Sequence, residues 1–183
     1  MKQLLFIVLA VFLVSSFCSA QFVKENGYLG PSIGFYFYGS SPIFGANYEY
    51  ALSSVNIGTG TVGIGGLFRY WSWSIDEGTY GGETWGWTYT DIMFGVQAFY
   101  HFKMENNDKL DPFAGLTLAY DAASVKYKGP STYSYVSPSW GGITLGASGG
   151  ARYWFSPNLA GVIRVGFGSS SYSALDLGVD FKL

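Results

Sequence analysis

The chain has a single cysteine, Cys18, and a single histidine, His101. A lone thiol closes no disulfide within the chain, and thiolate metal sites need several, so both kinds of cross-link fall away. Charge is scarce too: only 12% of residues are Asp, Glu, Lys or Arg, about half of what a soluble domain carries. The net charge is −2, so there is no basic field for nucleic acid and none is expected as a partner. Long apolar runs are missing as well. The longest, residues 4–17, is shorter than the roughly 20 residues that a membrane-crossing helix needs. No stretch beyond it sustains the helical spacing of apolar residues.

What is present is apolar and aromatic. Hydrophobic residues make up 49% and aromatics 20% of the 183 residues, and there are 26 Gly and 15 Tyr. That mixture excludes a disordered chain and implies turns, close backbone contacts and amphipathic rings. Residues 1–20 read as a secretory signal: Lys2 begins it, an apolar core follows, and Ser19-Ala20 precede a cut between Ala20 and Gln21. Phe17 rather than a small residue precedes Cys18, which speaks against a lipoprotein signal. The mature domain, residues 21–183, is then free of cysteine and carries a net charge of −3, since Lys2 leaves with the leader.

Through that domain the apolar residues alternate with small or polar ones, the period of half-buried strands. The first segment, 28–38, sets Leu29, Ile33, Phe35 and Phe37 against Gly30, Ser32 and Gly34. The second, 43–52, sets Phe44, Ala46, Tyr48, Tyr50 and Leu52 against Gly45, Asn47 and Glu49. Segments 61–73, 85–102 and 112–125 repeat the pattern, with Arg69, Asp91 and Asp121 on their polar faces. Segments 140–155, 159–167 and 173–183 do so with Arg152, Arg164, Asp176, Asp180 and Lys182.

The charges therefore share one parity. Glu49, Arg69, Asp91, Asp121, Arg152, Arg164, Asp176, Asp180 and Lys182 all stand opposite the aliphatic face. Lys126 breaks the rule, which places the end of the fifth strand before it. A charge facing lipid at mid-bilayer costs roughly 2–4 kcal/mol, so in a membrane barrel the polar face must turn inward. Soluble barrels of the lipocalin or avidin kind have the reverse arrangement. The expected fold is all-β: a closed antiparallel up-and-down transmembrane β-barrel of about eight strands, with a lumen filled by its own side chains. A second hairpin symmetric about Tyr80 would set Arg69 opposite Asp91, and a fourth symmetric near Ser170 would set Arg164 beside Asp176. With both termini periplasmic, outer loops fall near residues 39–42, 76–84, 126–139 and 168–171, and turns near 53–60, 103–111 and 156–158.

Residues 21–183 resemble the small outer-membrane barrels of the OmpA/OmpX type. The resemblance is most specific in the last strand, where Leu175, Leu177, Val179, Phe181 and Leu183 alternate as in the C-terminal signal of such barrels, although the final residue is Leu and not Phe. Residues 149–158, GGARYWFSPN, are similar to a strand-turn motif of these proteins. The resemblance implies a bacterial outer-membrane location, assembly by the barrel-assembly machinery, and outer-membrane lipid and lipopolysaccharide as surroundings. It leaves two roles open. One is an envelope-structural or adhesive role, with an extracellular partner held by outer loops that include Tyr80, Tyr133 and Tyr135. The other is porin-like passage of small solutes or hydrophobic compounds, as in OmpW-type barrels.

Catalytic patterns are weak. Barrels that modify lipid A use a His with Ser and a carboxylate at the outer surface, whereas His101 lies on the polar face near the periplasmic end of strand four. Residues 58–63, GTGTVG, match G-x-G-x-x-G but open a strand, so no helix N-terminus would hold a pyrophosphate. Asp76, Glu77 and Glu83 cluster near the second outer loop without the spacing of a calcium loop. No enzyme activity, metal or cofactor is expected.

Overall fold

The computed structural model describes residues 22–35, 41–55, 57–130, 135–168 and 174–183. The expected cleavage site at Ala20 and Gln21, and Phe37, Tyr133 and Ser170, lie outside these residues. Eight strands follow one another: β1 (Gly27–Phe35), β2 (Ile43–Ala51), β3 (Thr61–Tyr80), β4 (Glu83–His101), β5 (Leu110–Lys128), β6 (Ser139–Ser156), β7 (Leu159–Phe167) and β8 (Leu175–Lys182). Each pairs antiparallel with its chain neighbour, and β1 pairs with β8 to close the barrel. Over the height that all eight strands share, closure leaves no edge strand; above it β3 beyond Tyr70 and β6 before Ala147 are edges. The end that carries Phe22 and Leu183 is called the base here, and the opposite end the top.

Alternation decides which side chain meets what. Val96 and Leu145 are 62% and 68% exposed on the outside, while Gln97 and Ser148, inward residues of the same two strands, are buried. Strands β3 to β6 have 18 to 20 residues, against eight or nine in the others. A tilted strand crosses a bilayer in roughly 9–11 residues. The long strands therefore rise past their neighbours at the top and form a wall over half of the circumference.

That wall corrects the expected second outer loop at residues 76–84. The strands continue to Tyr80 and Glu83 and turn on Gly81-Gly82, with φ of 63° and 86°. Positive φ at both central residues is what a tight two-residue hairpin demands, and glycine supplies it without strain. The fifth strand likewise continues through Lys126 to Lys128, and starts at Leu110, before Pro112. Asp111, placed by its sequence in a turn, is instead a buried strand residue.

The interior core has three patches. Phe22, Tyr28, Ala51, Trp154 and Ala160 fill the base. Phe99, Phe113 and Val162 lie above them, and Leu67, Met93 and Ala119 form the third.

Candidate functional site

Arg152 is the centre of the lower lumen. Its strand neighbours turn the side chain inward, where it is 1% exposed. Nη2 donates to Glu49 of β2 at 2.5 Å, Nε to Asp180 of β8 at 2.5 Å, and Nη1 to Asp111 of β5 at 3.5 Å. His101 of β4 joins the same carboxylates, with Nε2 2.7 Å from Glu49 and Nδ1 2.8 Å from Asp111. A ring between two carboxylates donates to both only as the imidazolium. Five strands are thus braced by one cluster. Glycine makes the room: a Cβ at Gly63 would run into the carboxyl group of Glu49, and one at Gly30 into Asp180.

The N-terminal segment covers this cluster. The ring of Phe22 stacks on His101 at 3.6 Å and on Tyr28 at 4.6 Å, with the Arg152 guanidinium carbon 5.1 Å from its centre. The Val23 amide donates to the Tyr28 hydroxyl at 2.7 Å and fixes the entry of the chain. A cavity at the base, lined by Phe22, His101 and Asp111 among others, has a volume of about 60 Å³.

A second cluster lies higher. Arg69 Nη2 donates to Asp176 at 2.5 Å and to Asn47 Oδ1 at 2.9 Å. Arg164 stands opposite Asp176 in the register, with Nη1 3.2 Å from the same carboxylate oxygen. The two clusters meet at Phe113, whose ring has Arg152 at 5.3 Å and Arg164 at 5.5 Å. Such contacts add about 0.5–2 kcal/mol each when desolvated. The expected facing of Arg69 and Asp91 is corrected by the register. The hairpin is centred between Gly81 and Gly82, beyond a bulge at Asp76/Gly78, so Arg69 faces Met93 and Asp91 faces Trp71. Asp91 is buried, whereas Asp121 and Lys182 are half-buried.

Sequence reasoning missed Asp111 and the interior rings Phe22, Tyr28, Phe99, Phe113 and Trp154, and placed Asn47 on the inward face without its partner. Asp111 was traceable, since it shares the parity of Asp121 on the same strand. Phe22 had no such signal, because it precedes the first alternating segment. Among the described residues no set of His, Cys, Asp and Glu could hold a metal ion.

Above the lumen the inner face of the wall turns aromatic. Trp71, Trp73, Trp87, Tyr89, Tyr127 and Trp140 share it by alternation. Trp87 meets Tyr127 edge-on at 5.5 Å, and Tyr135 joins both, 5.7 Å from Trp87 and 4.6 Å from Tyr127. Trp140 remains 59% exposed and Tyr135 52%. Half-exposed rings on a rigid sheet give contact area at little entropic cost. The acidic residues expected in a loop sit on this hairpin, with Asp76 paired to Lys128 at 2.8 Å on the exposed outer face.

No family model matches the chain, and no curated protein does. Solved structures do. The N-terminal β-barrel domain of Pseudomonas aeruginosa OprF aligns with a TM-score of 0.57 at 16% identity, covering 87% of this chain and 98% of that one. A major outer membrane protein from Thermus thermophilus aligns with 0.60 at 14% identity, over 86% and 98%. Neisserial surface protein A aligns with 0.49 at 16% identity, over 86% and 95%. The chain has the fold of the small eight-stranded outer-membrane barrels.

Proposed function

We propose that this protein is an integral outer-membrane barrel with a lumen closed by ion pairs, which acts at the cell surface through its raised wall in adhesion or envelope structure. The observation that carries the reading is the pairing of Arg152, Arg69 and Arg164 with carboxylates inside a closed sheet whose outside is apolar. Eight strands enclose a space that side chains can fill, and here charged ones span it while Phe22 covers the base. A membrane is the environment that suits this sidedness. The signal at residues 1–20 would deliver the chain to the periplasm. The strand ending Leu175, Leu177, Val179, Phe181 and Leu183 would be read by the barrel-assembly machinery. Both termini would then be periplasmic, and the wall would stand among lipopolysaccharide facing an extracellular partner.

Catalysis has no support in this arrangement. His101 is 3% exposed, has both ring nitrogens on carboxylates, and lies at the base.

Purified protein in planar bilayers tests the closed lumen. Little or no stable conductance is expected, and large reproducible steps would replace this reading by porin-like passage. Protease treatment of intact cells tests orientation, because cleavage should fall near Tyr135 at the top and spare the base.

A further inference from the structure

Five of the six tryptophans stand on the inner face of the raised wall. Trp71 and Trp73 of β3, Trp85 and Trp87 of β4 and Trp140 of β6 share it by alternation, and Trp73, Trp85 and Trp140 are exposed. Exposed rings gathered on one face mark a contact surface, where scattered ones do not. The face is also grooved. In one row Trp71, Asp91, Ala123 and Trp140 lie side by side, and in the next Trp73, Tyr89 and Val125. Ala123 and Val125 are the small residues, so β5 forms a floor between Tyr89 and Asp91 on β4 and Trp140 on β6. Two inter-strand spacings make this trough about 10 Å wide. Below it Gly142 shares the face, and a Cβ there would meet nothing within 4 Å. Trp87, Tyr127 and Tyr135 close the upper end as one packed group of rings. Charge on this face has one sign. Arg69 is held by Asp176 in the lumen. From its row upward the charged residues that β3 to β6 turn inward include Asp121, Asp91 and Glu83, and none among the described residues is basic. Lys126 and Lys128 of β5 point outward.

We propose that the inner face of the wall is a docking surface for a basic, extended peptide segment of an extracellular protein, whose lysine or arginine side chains lie along the trough. The proposal deepens the adhesive role proposed above and rests on it. Two features choose the occupant. The first is charge: the faces of Trp and Tyr and the carboxylates all attract a cation, and none of them attracts an anion. The second is length. On β4, Glu83 and Asp91 stand at the two ends of the aromatic face, roughly 26 Å apart at about 3.3 Å per residue. One small ammonium ion reaches only one of them. Repeated cations on a chain reach both, and their mutual repulsion keeps such a chain extended.

Octalysine binding to the barrel in phosphatidylcholine nanodiscs is the test, since a zwitterionic bilayer offers the peptide no anionic lipid. By fluorescence anisotropy, labelled octalysine should bind wild type about tenfold or more tighter than octaglutamate does. Trp140→Ala and Trp73→Ala should each weaken octalysine about fivefold, Trp140→Phe should weaken it less, and Glu83→Gln should weaken it about threefold. Heat-modifiable gel mobility, which reports folding, should be the same for all. Equal affinity for octalysine and octaglutamate, or variants that bind as tightly as wild type, overturns the proposal. So does spermine binding as tightly as octalysine, which would make this a site for small amines. Maltohexaose binding as tightly would make it a sugar platform, and a dimer that excludes octalysine would assign the face to a second copy; either overturns it too. Cleavage of intact cells near Tyr135 separates the two readings: with it, failed octalysine binding sinks this proposal alone, and without it the surface location itself fails.

Discussion

Arg152 is the side chain whose loss should cost most. It is 1% exposed and its partners Glu49, Asp111 and Asp180 are 2%, 4% and 5% exposed. Removing one member of a buried ion pair costs about 3–5 kcal/mol, because the partner keeps its charge without its counter-charge. Three carboxylates do not mean three such costs, because the geometry limits them. His101 still bridges Glu49 and Asp111 when Arg152 is gone. Asp180, which receives Nε at 2.5 Å, is the group stranded in the lumen. Arg152→Met, close in length and able to fill the space, should therefore lower unfolding free energy by about 3–5 kcal/mol in total. Arg152→Lys should cost less, about 1–3 kcal/mol, since a single ammonium cannot reproduce a planar fork shared by three acids.

Urea unfolding in lipid vesicles, followed by tryptophan fluorescence, measures this, and gel mobility of unboiled samples checks that the barrel forms. The decisive variant is the pair Arg152→Met with Asp180→Asn. If Asp180 is the stranded charge, neutralising it recovers more than half of the loss, and the two changes are far from additive. An Arg152→Met protein within about 1 kcal/mol of wild type, or a double variant that loses the sum of both, would refute the reasoning.

The upper cluster should be more tolerant. Arg69→Leu leaves Arg164 3.2 Å from Asp176, so the same unfolding assay should give a loss of only about 1–3 kcal/mol. Phe22→Ala removes the ring stacked on His101 and should cost about 3 kcal/mol by the same assay. Val96→Lys puts a charge on a side chain 62% exposed at the middle of the apolar band; a loss of about 2–4 kcal/mol is expected, against about 0.5 kcal/mol or less for Ser74→Lys on the exposed outward face of β3 above that band. Gly45→Val should lower stability by about 1–3 kcal/mol, because its Cβ would come within 2.7 Å of Arg69 Nη1 and 2.8 Å of Ser32 Oγ, and a normal unfolding midpoint would contradict the tight packing.

How far the sequence reached depends on what each position has to distinguish. Period-two alternation located all eight strands, and β7 to the residue, because one face is crowded with Leu, Ile, Val and Phe while the other is small or charged. Strand ends were less legible. Ser74 and Asp76 look like loop residues, and nothing local says that the sheet continues through them. Register across the second hairpin was illegible for a related reason: the bulge at Asp76/Gly78 and the turn at Gly81-Gly82 shift the pairing, so Met93 and not Asp91 faces Arg69. Partners across the barrel are a third level. Arg69 and Asp176 are 107 residues apart, and only closure of the sheet brings them together. Asp111 was hidden by Pro112, which reads as a strand start, although it carries the parity of its strand.

Lys126 shows why parity alone was an incomplete rule. It points the same way as Leu116, Leu118 and Tyr120 along β5, and by parity that required the strand to have ended. The strand does not end; the environment outside it changes. On the membrane reading, outward residues below the row of Tyr70, Ile92 and Ala122 meet hydrocarbon, where a lysine is costly, and those above meet water and head groups, where it is not. The inner face changes in the opposite sense over the same rows, from Arg69 and Asp91 in the lumen to Trp73, Trp87 and Tyr127 on the wall. A strand of 20 residues can carry both patterns only if its sidedness inverts where the outer solvent does. On that reading the inversion sets the height of the membrane on this barrel, and it does so from side-chain chemistry on four adjacent strands rather than from strand length.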